Sequence, residues 1–242
     1  FRSQGLRHTQ FILRVLKTFA DNPQGIKPVT NAQRRQRRSM SKSVAVRQVA
    51  DETDDLDMAD ILDEGPTDAQ PVLLIHGFAS NVRVNWISPG WVKTLTEAGY
   101  RVVAFDHRGH GQSSKSYDPA DYTPSAMASD AAALLDQLDI PAAHVMGYSM
   151  GARVGAFMAL EYPKRVHSLI FGGLGIGMVD GVGDWDPIAD ALRAPDPASV
   201  THPRGKMFRT FADQTKSDRR ALAACITTSR ELLSRSDMHR ID

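Results

Sequence analysis

The stretch Val145-Met146-Gly147-Tyr148-Ser149-Met150-Gly151-Ala152-Arg153 constrains this chain more than any other. It reads as a short apolar strand from His144 to Gly147, a turn one residue long, and a helix starting at Met150. The pattern is G-x-S-x-G, in which the turn forces Ser149 into a strained conformation with its hydroxyl clear of the sheet edge. Gly147 and Gly151 flank it because a Cβ at either position would collide with the neighbouring strand or helix. The helix start behind the serine offers free N–H groups and partial positive charge where an oxyanion would develop. Three fixed positions alone recur by chance in roughly one chain in ten of this length. Context must supply the specificity.

At 242 residues the chain can hold one large α/β domain, or such a domain with a small cap. A hydrophobic content of 42% fits a substantial globular core. Cys225 is the single cysteine, so no intrachain disulfide and no cysteine-based zinc pattern can form. In its apolar run Ala-Ala-Cys-Ile it reads as core filler. No apolar run approaches the 18 or so residues of a membrane span. Residues 1–47 hold 11 Lys/Arg against Asp21 alone, whereas residues 48–242 hold 18 Lys/Arg against 27 acids. The globular part is therefore acidic, and no nucleic-acid partner is expected of it.

Residues 1–43 read as a basic, disordered extension, with a short amphipathic helix possible at Phe11–Ala20 and a basic cluster at 34–38. A targeting peptide, a basic tail, or residues preceding a true start at Met40 are the readings open, the last being favoured. Residues 44–174 read as the α/β core. Val44–Ala50 and Met58–Leu62 suggest a hairpin leading into the sheet. Pro71–Ile75 is a continuous apolar run, as expected of a strand buried on both faces, and it opens into His76-Gly77-Phe78. Trp91–Ala98 reads as a helix ended by Gly99. Arg101–Phe105 is the next buried strand, followed by Asp106-His107-Arg108-Gly109-His110-Gly111-Gln112-Ser113. Thr123 or Ser125 caps a helix to Leu138 whose apolar face is Met127, Ala131, Leu134, Leu135 and Leu138. A helix follows the serine to Tyr162, and Val166–Phe171 is a further buried strand. Alternating strands and helices predict a mostly parallel, doubly wound sheet. Residues 175–242 read as helical, near Ile188–Arg193, Arg204–Gln214, Asp218–Thr227 and Ser229–Ser234.

H-G-F after one strand, D-x-R-G-x-G-x-S after the next and G-Y-S-M-G after a third resemble the serine α/β-hydrolase family, in the family's own order. The resemblance implies the α/β-hydrolase fold with a helical cap formed by residues 175–242. Met178, Trp185, Met207, Phe208 and Phe211 are equally pocket wall or cap core. It also implies a serine hydrolase, carboxylic-ester hydrolysis through an acyl-serine, with Ser149 as nucleophile and the amides of Phe78 and Met150 as oxyanion donors. His76, Asp106, His107 and His110 are expected to hold loops together. No cofactor and no metal are implied, the partner is a small-molecule ester, and the expected location is cytoplasmic. Arg153, one helical turn past Ser149, is a candidate substrate-binding residue that can meet a carboxylate. A lyase or C–C hydrolase acting on a carboxylate substrate is therefore one alternative. A non-catalytic binding protein of the same fold is another. The family's order is serine, acid, histidine. After Ser149 only His167, His202 and His239 remain, and pairing Asp180 or Asp186 with His202 needs an unusual geometry. The expectation is that the chain stops before the acid-bearing strand and leaves Val166–Phe171 as an open, apolar edge.

Overall fold

The computed structural model describes residues 61–241. The basic extension and most of the expected hairpin lie outside these residues. Among the described residues, five strands form one sheet in the order β1-β3-β2-β4-β5. They are β1 (Ile61–Glu64), β2 (Pro71–Ile75), β3 (Arg101–Phe105), β4 (Ala143–Tyr148) and β5 (Val166–Gly172). Strands β2 to β5 run parallel, while β1 lies antiparallel to β3 with Ile61 opposite Phe105. This is the mostly parallel sheet that the alternation of elements predicts.

The unbroken apolar runs have a simple cause. Strand side chains alternate between faces, and here both faces are covered. Leu73, Ile75, Val103, Phe105 and Val145 point to the side packed by α2 (Pro124–Gln137) and α3 (Met150–Glu161). Val72, Leu74, Val102, Ala104 and Met146 point to the other, against Trp86 and against Val92 and Leu95 of α1 (Trp91–Glu97). Strand β5 is the outer strand on its side among the described residues, and it is partly exposed along most of its length.

Helix α2 shows how local sequence sets the ends. The Thr123 hydroxyl accepts the Ala126 N–H at 3.2 Å and Pro124 fills the first helical position, where no N–H is needed. At the other end Asp139 turns left-handed (φ 54°) and the Ile140 N–H closes on Leu135 O at 2.8 Å. Thr123→Ala is expected to cost about 1 kcal/mol in urea unfolding at constant m-value. A loss below about 0.3 kcal/mol would show that Pro124 and the buried face hold the helix start unaided.

Beyond β5 come α4 (Gly177–Asp180), α5 (Asp186–Arg193), α6 (Pro203–Gln214), α7 (Arg219–Thr228) and α8 (Arg235–Met238). Three of the four expected helical segments lie within a residue or two of α5, α6 and α7. Ser229–Ser234 does not form the expected helix. α7 closes with the Ser229 N–H on Cys225 O, and the chain then crosses to α4, where the Leu233 N–H donates to Met178 O at 3.1 Å. A capping box between Ser234 and Asp237 starts α8 only at Arg235. Among the described residues no helix is long and apolar enough to cross a membrane.

Candidate active site

Strand β4 ends at Tyr148, α3 begins at Met150, and Ser149 alone makes the turn, at φ 53° and ψ −115°. A non-glycine residue held there stores about 1–3 kcal/mol of backbone strain. The surroundings over-determine it. The Ser149 N–H donates to Gly172 O of β5 at 2.7 Å, and Ser149 O accepts the first helical N–H groups, from Ala152 and Arg153. A Cβ on Gly147 would lie 2.2 Å from Gly151 O, and one on Gly151 would lie 2.1 Å from Ile75 O. The two flanking glycines are thus required by backbone contact, as the motif predicts. Met150 is the first residue of α3, so its N–H has no intrahelical acceptor.

The Gly77–Phe78 loop meets this turn from β2. A Cβ built on Gly77 would stand 3.4 Å from Ser149 Cβ and 3.2 Å from Tyr148 O, tighter than ordinary contact, so a larger residue there would press the loop away from the turn. Asn85, in a short π-helix at Arg83–Ile87, accepts the Gly77 N–H at 3.1 Å. The Phe78 N–H takes no acceptor among the described residues. Asn85 went unrecognised in the sequence because its role depends on a bond eight residues back, across a turn with no repeating pattern.

His76 ties the loop down. Its Nδ1–H donates to Gly77 O at 2.9 Å and its Nε2 accepts the His107 N–H at 3.0 Å, an arrangement that needs the neutral ring. Complete burial pushes its pKa down to about 4, against a smaller opposing effect of the Gly77 bond. His107 and His110 sit edge-on to it, with ring centroids 4.8 and 5.3 Å away. Burial first, then the neighbouring imidazoles, push His107 well down; burial and His76 push His110 to about 3. The Asp106 carboxylate accepts the N–H groups of Val82 (2.7 Å) and Gln112 (3.2 Å). Gly111 is left-handed (φ 44°), and a Cβ there would fall 1.6 Å from Asp106 Oδ2. The Asp106–Ser113 segment is a self-bonded scaffold beside the turn.

A small cavity, with about 20 Å³ of room, opens beside Ser149, enough for about one water. The Gly77–Phe78 loop, the turn and α3 contribute Phe78, Ser149, Met150 and Arg153. Residues 174–230 contribute Leu174, Trp185, Ile226, Ser229 and Arg230. Of the aromatic and methionine side chains expected near a pocket, Trp185 lines it. Phe208 stacks behind, between Phe78 (5.7 Å) and Trp185 (6.1 Å). Met178 is buried and Met207 is exposed. Ser229 and Arg230 escaped sequence reading because their segment reads as helix.

Arg153 is only 4% exposed. Its Nη1 donates to the carbonyl oxygens of Met178 and Glu231. Burial pushes its pKa down and the Glu231 charge partly offsets this. Cys225 is buried under the turn, its Sγ 3.8 Å from Met150 Sδ, and burial pushes the thiol up to about 12. It is core, not nucleophile. None of the three histidines after Ser149 lines the cavity. His167 lies on β5 beside His144, and His202 caps α6 by accepting the Gly205 N–H at 3.4 Å. His239 follows α8. Asp186 pairs with Arg230 at 3.1 Å and Asp180 with Arg235 at 3.8 Å, so the structure does not assemble either carboxylate with His202. Among the described residues no cluster of three or more His, Cys, Asp or Glu is placed to hold a metal ion.

Residues 70–201 match the model of a protein family described as the alpha/beta hydrolase fold. Over 106 residues the chain is 42% identical to the rhodomycin D methylesterase DauP of a Streptomyces species, covering 43% of this chain and 34% of that one. Over 120 residues it is 40% identical to the dihydrolipoyllysine-residue acetyltransferase component of the acetoin cleaving system of Cupriavidus necator, covering 50% and 29%. The chain thus spans about a third of the length of the curated relatives it matches. A hydrolase structure from Pseudomonas aeruginosa superposes with a TM-score of 0.63 at 24% identity, covering 83% of this chain and 78% of that one.

Proposed function

Since this chain belongs to the alpha/beta hydrolase family, we propose that it is a serine hydrolase that cleaves carboxylic esters through an acyl-serine intermediate. Ser149 Oγ attacks the ester carbonyl, the alcohol leaves, and water releases the acid. The Phe78 and Met150 amides receive the charge that develops on the carbonyl oxygen. One observation carries the reading: Ser149 is held at strained backbone angles at the start of α3, and the Phe78 and Met150 N–H groups take no acceptor among the described residues. The strain is informative because it costs stability and serves no packing purpose at a half-buried serine. The similarity to a methylesterase supports an ester carbonyl as the target. His76 is not the base in this scheme, since both its ring nitrogens are engaged and its low pKa makes it a poor proton acceptor near neutrality.

The test is Ser149→Ala in any form of the protein that turns over p-nitrophenyl acetate. The expected result is a fall in kcat of at least ~10³ with unchanged unfolding midpoint. Retention of more than about a tenth of the activity would remove Ser149 from the mechanism.

A further inference from the structure

We infer that His144 and His167 form a binding site for one divalent ion of the zinc type, placed on the sheet away from Ser149 and independent of its role. The two imidazoles come from neighbouring parallel strands, His144 from β4 and His167 from β5. His144 precedes Ser149 by five residues, which is about 16 Å along an extended strand. The site therefore belongs to the opposite end of β4 from the nucleophile turn.

A register shift brings the ligands together. In a regular strand His167 and Ser168 would point to opposite faces, and His144 could meet only one of them. Here Ala143 pairs with Val166 but His144 pairs with Ser168, so His167 is an extra residue in the ladder. Such a bulge sets two residues against one and re-aims a side chain. Both residues consequently meet His144. The His167 ring lies with its centroid 5.4 Å from that of His144, and Ser168 Oγ lies 2.8 Å from His144 Nδ1. The ring separation is what one shared ion requires: with metal–nitrogen bonds of about 2.0–2.1 Å at tetrahedral angles, two imidazole centres stand about 5 Å apart. Ser168 supplies the outer support that a metal-binding histidine needs. Its hydroxyl oxygen accepts the Nδ1–H, which fixes the tautomer and leaves the Nε2 lone pair of His144 for the ion. Neither that nitrogen nor either nitrogen of His167 has a hydrogen-bond partner among the described residues. His167 is exposed and His144 half-buried, so the ion enters from solvent and water completes its coordination. Burial first, then the His167 ring, lower the His144 pKa, which favours the neutral form that binds metal. Two imidazoles and water suit zinc, copper or nickel rather than magnesium or calcium. An ion held there would clip β5, the outer strand among the described residues, to β4.

The experiment titrates the full, tag-free chain with Zn²⁺ alone, followed by calorimetry. One equivalent is expected to bind, Mg²⁺ is not, and His144→Gln or His167→Gln should each weaken the zinc affinity at least 10-fold. Saturating Zn²⁺ should raise the thermal unfolding midpoint by at least about 3 °C, and His167→Gln should abolish the rise. Ser168→Ala, which keeps both ligands but frees the His144 ring, should weaken binding at least about 3-fold. A chain carrying His8→Ala, His202→Ala and His239→Ala together should bind as the parent does. Absence of binding at about 1 mM Zn²⁺ would overturn the inference. So would an affinity that survives His167→Gln, or one lost in the triple variant, since either would place the ion on other side chains. Should His144→Gln fail to fold, His167→Gln decides, because that side chain is exposed and its replacement leaves the core intact.

Discussion

Gly151→Ala is expected to remove at least about 3 kcal/mol of folding stability, a large part of the 5–15 kcal/mol typical of a domain. The added methyl would sit 2.1 Å from Ile75 O and 2.6 Å from His76 O. Both are backbone atoms, one at the last residue of β2 and one at the residue that follows it, and both residues are buried. Overpacking against side chains costs about 1–3 kcal/mol because rotamers give way; here the strand itself must move. Such movement would separate α3 from the Gly77–Phe78 loop, so any surviving fold would hold Ser149 and the Phe78 amide out of register. Gly155→Ala, one turn later on the same helix, is the control. Its methyl would meet only Leu169 Cδ1 at 3.0 Å and Val145 Cγ1 at 3.4 Å. Side-chain adjustment there is cheap, and a helix-interior alanine gains up to about 1 kcal/mol over glycine. Urea unfolding of both variants is the measurement. Equal losses would show that close approach at Gly151 is not what fixes the residue.

Those contrasts explain why the turn was legible in the sequence. Gly147, Ser149 and Gly151 are dictated by backbone contacts between neighbouring elements, so the same spacing must recur wherever the geometry does. The strands β2, β3 and β4 were equally legible, since burial on both faces leaves an unbroken apolar run between turn residues. His76 was readable as a loop tie because it follows β2 directly. What escaped was set by contacts across the fold. Ser229–Ser234 has an ordinary helical composition, but Leu233 is drawn to Met178 O and Arg153 bonds Glu231 O. These partners lie some fifty or more residues away in sequence, and they place Arg230 at the cavity. Asn85 escaped for a related reason: the π-helix that aims it at Gly77 has no apolar periodicity to announce it.

The largest solvent effect expected is acid destabilisation centred on His76, His107 and His110. All three rings are fully buried at the base of the Gly77–Phe78 loop. In the unfolded chain each would titrate near 6.5. In the folded protein burial holds His76 to about 4 and His110 to about 3, and His107 well below its ordinary value. Above pH 6.5 neither state binds these protons and stability is at its full value. Below it the unfolded state takes up protons that the native state refuses. Stability then falls by about 1.4 kcal/mol per pH unit for each ring until the pH passes the folded values. Nearby charges work both ways: Asp106, 3.8 Å from His76 Nε2, favours protonation, while Arg108 and Lys115 oppose it at His107 and His110. Between pH 7 and pH 5 His76 and His110 each account for about 2 kcal/mol and His107 acts in the same direction, so a combined loss of at least about 4 kcal/mol is expected. Carboxylates contribute little in that interval because their ordinary values lie near 4. Urea unfolding at the two pH values measures the loss, and His110→Phe assigns it. Phenylalanine keeps the edge-on ring against Phe78 but cannot be protonated, so it should shrink the difference between pH 7 and pH 5 by about 2 kcal/mol. An unchanged difference in that variant would place the acid sensitivity elsewhere. A proportional shrinkage would assign the acid sensitivity to the buried imidazole cluster beneath the Gly77–Phe78 loop.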